Sequence, residues 1–170
     1  WYSGEHAAVI PHRPTLVFRP VPRVHISPLE IRDPFYSAAQ VPEWSLQNRT
    51  NSRNVAIPEK WGGYPKSVPG WTHTSQAYVS SAEFFQTHPE YFAMNAEGER
   101  APTQLCLTNP DVRRISIERA LKYLGDNPDA RFLDFSAEDR AGYCLCPDCK
   151  AIDEAEATDH GYGRTAYGVH

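Results

Sequence analysis

The sequence predicts an α/β fold in which short strands alternate with helices and the strands pair in parallel. Three observations carry this expectation. A helix pattern over residues 109–125 lies between two short apolar strand patterns, "TQLCLT" and "ARFLDFS". The balance of 41% apolar to 22% charged residues over 170 positions is that of a globular chain able to build a real core. Proline is frequent at 15, and the aromatics number 4 Trp, 9 Tyr and 7 Phe, which implies many turns and extended connections.

Residues 1–27 are rich in Pro and β-branched residues, and the alternation in "TLVFRPVPRVHI" predicts edge strands, where Pro is tolerated. This stretch reads as the tail of a preceding sheet domain or as a linker. "LEIRDPF" over 29–35 is expected to be a short strand stopped by Pro34. Residues 37–67 are expected to be mostly loop, with "NRTNSRN" and "KWGGYPKSVPGW" inside it. The "NRT" sequon is read as a chance match.

From Ser80 the pattern turns helical. Ser80 and Glu83 have capping-box spacing, Phe84 and Phe85 would face the core, and Pro89 ends or kinks the helix. His88, just before that proline, reads as structural. "NAEGER" is a turn, and "TQLCLT" the strand after it. The next helix is clearly marked: Asn109 suits the N-cap, Pro110 the first helical position, and Asp111 complements the dipole. Val112, Ala120, Leu121 and Leu124 would form its apolar face, and Gly125 its left-handed stop. "ARFLDFS" is then a buried strand, expected to lie beside "TQLCLT".

Three of the four cysteines fall in "CLCPDC", at Cys144, Cys146 and Cys149, and the fourth is Cys106. If the two strands are neighbours, all four thiols meet at their carboxyl ends. A Cys-x-Cys-x-x-Cys run on a Pro147 turn can present three sulfurs to one point, with Cys106 as the natural fourth ligand of a structural Zn²⁺. A disulfide with spare thiols, or four unlinked thiols, are the competing readings. A thioredoxin-like pair is disfavoured, because a third nearby thiol would scramble it.

Several stretches together resemble a known family: "WYSGEHAAVIP", "EIRDPFY", "FFQTHPEYFAMNAEGERAPTQLCLTNPDV" and "ARFLDFSAEDRAGYCLCPDCKAID". It comprises the bacterial glycoside-hydrolase-like proteins catalogued as domain of unknown function 4838. The resemblance implies a (β/α)₈ TIM-like barrel preceded by a small α/β domain, a layout similar to β-hexosaminidases and α-glucuronidases. On that basis residues 1–27 would be the tail of the preceding domain, 28–153 the first strand–helix units of the barrel, and 154–170 an irregular tail. A whole barrel needs about 200 residues or more, so the expectation is a truncated or excerpted chain, inactive alone although its parent is a glycoside hydrolase. Such a piece would be marginally stable and would self-associate through an open sheet edge.

Barrel sites lie at the carboxyl ends of strands. Arg32 and Asp33 end the first expected strand, and a basic residue there resembles the sugar-hydroxyl clamp of hexosaminidases; the plain reading is a turn former beside a surface pair. Asp139 matches an acidic position of the family's motif and is a weak catalytic candidate, the plain reading for the Glu138–Asp139 pair being a solvated turn. Trp71 and His73, with Trp61 and Tyr64, suit stacking on a sugar ring, against the plain reading of a loop pinned by its aromatics.

The expected partner is therefore a poly- or oligosaccharide. The alternatives are a non-catalytic carbohydrate-binding protein on the same fold and a zinc-stabilised structural module. A net charge of −4 from mixed signs gives no footprint for nucleic acid or an anionic membrane. No apolar run reaches the roughly 18 residues of a membrane span. The expected setting is periplasmic or extracellular rather than cytoplasmic.

Overall fold

The computed structural model describes residues 12–159, apart from Leu16, Phe18, Arg23, His25, Tyr36 and Asn54. Residues 1–11 and 160–170, and with them "WYSGEHAAVIP" and most of the expected irregular tail, lie outside the described residues. The chain forms two compact units, Trp1–Pro65 and Lys66–His170.

In the first unit the described residues of 12–35 form no strand, so the expected edge strands and the strand over 29–35 are not formed there. The prolines that suggested edge strands also remove the backbone donors a ladder needs. The segment 30–32 is instead fastened largely through Asn51, whose N–H also donates to the Arg32 carbonyl at 3.1 Å. Asn51 Oδ1 accepts the Arg32 N–H at 2.7 Å, and its Nδ2 donates to the Glu30 carbonyl at 2.7 Å. Within the expected loop stands a two-turn helix, α1, Pro42–Asn48. Pro42 opens it, Glu43 complements its dipole, and Arg49 ends it in the left-handed region at φ 56°. It buries Trp44; Val55 and Ile57 are also buried in this unit.

The second unit has two small sheets. β1, Ser67–Val68, pairs in parallel with β4, Phe132–Leu133. β2, Phe92–Met94, pairs antiparallel with β3, Arg100–Leu105, across the turn at residues 95–99, where Gly98 takes φ 85°. "TQLCLT" thus lies in a hairpin rather than beside "ARFLDFS". A short helix, α2, Ser75–Tyr78, comes first, and the helical stretch expected from Ser80 is reduced to another short helix, α3, Ser81–Phe84, and a 3-10 turn at Pro89–Tyr91. Its capping box is not formed: Gln76 Oε1 takes the Ser81 N–H at 2.7 Å, and Glu83 pairs with Arg119 at 2.7 Å.

The next helix, α4, Pro110–Asp126, begins as its sequence dictates. Asn109 Oδ1 accepts from the amides of Asp111 at 2.9 Å and Val112 at 3.3 Å, which satisfies two orphan donors. Gly125 does not stop it. The helix runs one residue further, and Asn127 follows at an ordinary negative φ with its side chain on the Tyr123 carbonyl. Val112 and Ile115 enter a core with Tyr78, Val79, Tyr91, Phe92 and Leu105, whereas Leu121 and Leu124 stay exposed.

The final helix, α5, Pro147–Asp159, occupies positions expected partly as the Pro147 turn of the cysteine run and partly as irregular tail. Pro147 serves as its first residue. Among the described residues no helix is long and apolar enough to cross a membrane.

Candidate metal centre

Cys106 directly follows β3, and its N–H donates to the Tyr91 carbonyl at 2.9 Å. The hairpin therefore fixes its position. Cys144 arrives from the long segment after β4, docked by Leu145 N–H on the Met94 carbonyl at 2.7 Å. Cys146 immediately precedes α5, and Cys149 sits in its first turn.

The approach of residues 136–143 is held by β3. Gln104 is 1% exposed; its Nε2 donates to the carbonyls of Glu138 and Arg140, both at 2.7 Å, and its Oε1 accepts the Glu138 N–H at 3.1 Å. Thr103 Oγ1 donates to the Gly142 carbonyl at 3.1 Å. Gly142 takes φ 99°, and a Cβ there would come within 3.1 Å of Thr103 Oγ1. The conformation favours glycine here, and any side chain would also press on Thr103.

The four sulfurs lie within 4.8 Å of one another, and all four residues are buried. Cys106 Sγ is 3.7 Å from Cys146 Sγ and 3.9 Å from Cys149 Sγ. All four thiols are free. Of the three sequence readings, the disulfide is therefore not formed, and the four thiols do converge. They arrive by a different route, through an antiparallel hairpin and the start of a helix.

The surrounding groups favour negative sulfur. Cys144 Sγ accepts the Met94 N–H at 3.4 Å and faces Arg100 Nη1 at 3.7 Å. Thr108 Oγ1 stands 3.1 Å from Cys149 Sγ, 3.5 Å from Cys106 Sγ and 3.7 Å from Cys146 Sγ. The hydrogen bond from Cys144, helped by Thr108 and Arg100, pulls the Cys106 thiol down to about 4. The same bond, with burial, pushes the Cys144 thiol far up. Burial raises Cys149 to about 11. Like charges this close repel one another, so the four thiols cannot all ionise unaided. A divalent cation is what allows four thiolates to coexist.

A family model described as a domain of unknown function, DUF4838, matches residues 1–164. The chain belongs to this family. Neither the curated proteins nor the solved structures gave a match.

The remaining candidate residues of this family member divide between the two units. In the first unit the Arg32 guanidinium donates to the carbonyls of Leu29 at 2.7 Å and Arg49 at 2.5 Å, and Asp33 pairs with Arg53 at 3.3 Å. In the second unit Trp71 is half-buried, its ring 5.7 Å from that of Phe132. His73 is exposed in the left-handed region at φ 57°. Its N–H donates to Ser136 Oγ at 2.7 Å, and its Nδ1 pairs with the Ala137 carbonyl at 3.0 Å. A carbonyl only accepts, so Nδ1 carries the proton and Nε2 is left as an acceptor. Glu138 Oε1 accepts from Ser75 Oγ at 2.8 Å and the Gln76 N–H at 3.2 Å, whereas Asp139 is exposed.

Sequence reasoning missed Arg100, Gln104 and Thr108. Thr108 stands two positions after Cys106, which is a usable signal. Nothing local marks Arg100 or Gln104 as part of the centre, because Cys144 and Glu138, which they meet there, are more than 30 positions away.

Proposed function

We propose that the chain holds one structural Zn²⁺ on Cys106, Cys144, Cys146 and Cys149. The observation that carries this is the spacing of the sulfurs. A tetrahedron with Zn–S arms of about 2.3 Å has edges of about 3.8 Å, and the sulfurs of Cys106, Cys146 and Cys149 give edges of 3.7 and 3.9 Å. Four buried thiols with no carboxylate or imidazole among them form a soft donor set, which selects zinc or iron over magnesium or calcium. All four positions of the tetrahedron are filled by protein, the pattern of a structural rather than a catalytic site. Metal analysis of protein purified without chelator, followed by unfolding with and without chelator, tests this. One equivalent of zinc and a chelator-sensitive transition are expected.

A carbohydrate partner is the second part of the proposal, in line with the glycoside-hydrolase-like, TIM-barrel reading of the sequence. It is favoured by the strained, tautomer-fixed His73 at the carboxyl end of the parallel β1–β4 pair, where α/β sites gather. In this reading the metal centre anchors the segment 134–146, so that Ser136 and Ala137 hold His73 while Asp139 and Trp71 remain available to a sugar. The role proposed for this chain is sugar binding. The exposed Leu133 on β4 supports self-association through that strand's outer edge. Glycan-binding measurements on Trp71→Ala and His73→Ala test the sugar reading: each is expected to weaken binding about 5-fold or more, in keeping with about 1 kcal/mol or more per aromatic stacking contact or hydrogen bond. Unchanged affinity in both would overturn it.

A further inference from the structure

We propose that Thr108 and Arg100 complete the thiolate centre as its outer hydrogen-bond donors, and that they set its metal affinity. The proposal rests on the four-thiolate reading above and adds to it two residues outside the ligand set.

The donors divide the sulfurs between them. Cys144, the sulfur without a contact to Thr108, faces Arg100 Nη1 at 3.7 Å and accepts the Met94 amide at 3.4 Å. The other three sulfurs lie 3.1 to 3.7 Å from the single Thr108 hydroxyl. Cys144 thus has its outside donors in Arg100 and the Met94 amide, while the one Thr108 proton serves the other three sulfurs one at a time, Cys149 at 3.1 Å being the nearest.

The placement of both donors is built into the fold. Thr108 lies in the turn between β3 and α4, closed by the Asn109 N–H on the Cys106 carbonyl at 3.0 Å. Asn109 is itself the N-cap of α4. The strongest local signal in the sequence thus also fixes the hydroxyl beside the sulfurs. Arg100 begins β3, and the same Nη1 donates to the Phe92 carbonyl at 2.7 Å across the hairpin. Its reach toward Cys144 is constrained rather than free.

The chemistry explains why such donors are needed. Four thiolates around a divalent cation leave a net charge of −2 in a buried site, and burying uncompensated charge is costly. A guanidinium cannot deprotonate at ordinary pH, so Arg100 supplies a permanent positive charge. A hydroxyl donor delocalises charge from sulfur and orients it, the role that outer groups play around metal ligands.

The test uses the full chain and zinc itself, with affinity read by competition against a chromophoric chelator. Cobalt substitution gives a second readout through the sulfur-to-cobalt absorption bands. Thr108→Val keeps the shape and removes the donor; Thr108→Ser restores the donor. Arg100→Gln removes the charge; Arg100→Lys restores it. We expect Thr108→Val and Arg100→Gln each to weaken zinc by about 10–100-fold, with altered cobalt bands, and the restoring variants to recover most of the loss. Metal-free unfolding should be the same in Thr108→Val as in wild type.

Wild-type affinity in both Thr108→Val and Arg100→Gln would overturn this proposal and leave the metal reading standing. A wild type that binds no zinc would overturn the metal reading and this proposal with it. Equal loss of metal-free stability and of affinity in Arg100→Gln, without recovery in Arg100→Lys, would assign that residue to the Phe92 bond alone and overturn its part.

Discussion

Replacing Cys106 by serine removes the one ligand that joins the hairpin to the rest of the centre. The other three cysteines lie within six residues of each other, so a metal held by them alone closes only a short loop. Cys106 sits 40 positions from Cys146. A cross-link closing a loop of that length removes about 13 cal/mol/K from the unfolded chain, or about 4 kcal/mol at 25 °C. That is a large part of the 5–15 kcal/mol that holds a typical domain together. For a unit of about 100 residues it corresponds to a fall in Tm of roughly 15–30 °C. The assay is thermal unfolding followed by circular dichroism, on zinc-loaded and chelator-treated samples of wild type and Cys106→Ser. The metal-dependent difference should be large in wild type and mostly absent in the variant. Without metal, the substitution exchanges one small buried side chain for another and should cost about 1 kcal/mol. A zinc-loaded variant that unfolds within a few degrees of zinc-loaded wild type would refute the cross-link.

Two further outcomes follow from the rest of the second unit. The Tyr78 hydroxyl is buried and donates to the Asp134 carbonyl at 2.6 Å, and burial, with the Asp134 charge, pushes its pKa from 10 up to about 12. Its contribution to stability is complete below pH 10 and is lost as pH rises from 10 through 12, because only the unfolded chain then releases the proton; Tyr78→Phe should cost about 1 kcal/mol at neutral pH and flatten that alkaline decline in denaturant titrations. Asn109→Ala should cost about 1 kcal/mol through loss of the α4 cap, measured by urea unfolding, and a change below a few tenths would show that the cap is redundant.

The legible parts of this fold are those specified by neighbours in sequence. Asn109-Pro110-Asp111 marks the start of α4 because capping is a contact over two or three residues. The Cys-x-Cys-x-x-Cys run marks the centre because its spacing alone can bring three sulfurs together. What was not legible depends on distant choices. The strand partner of "TQLCLT" is decided by the turn at 95–99, where Gly98 takes φ 85°; with no strand expected between Pro89 and "NAEGER", that hairpin stays hidden. Leu121 fits the helical period and yet faces solvent, since the period says which side is apolar and not how much of it is covered. Glu83 has capping-box spacing but a better partner in Arg119, 36 positions on. Gln104 reads as an ordinary polar strand residue, and its burial follows only once residues 138–140 lie across it.

X-ray absorption at the metal edge of purified, fully loaded protein tests the central claim most directly. The account predicts one zinc per chain with four sulfur scatterers at about 2.3 Å, and no nitrogen or oxygen in the inner shell. Substoichiometric metal, a shell of mixed sulfur and lighter atoms, or a disulfide found among the four cysteines in the native protein would contradict it.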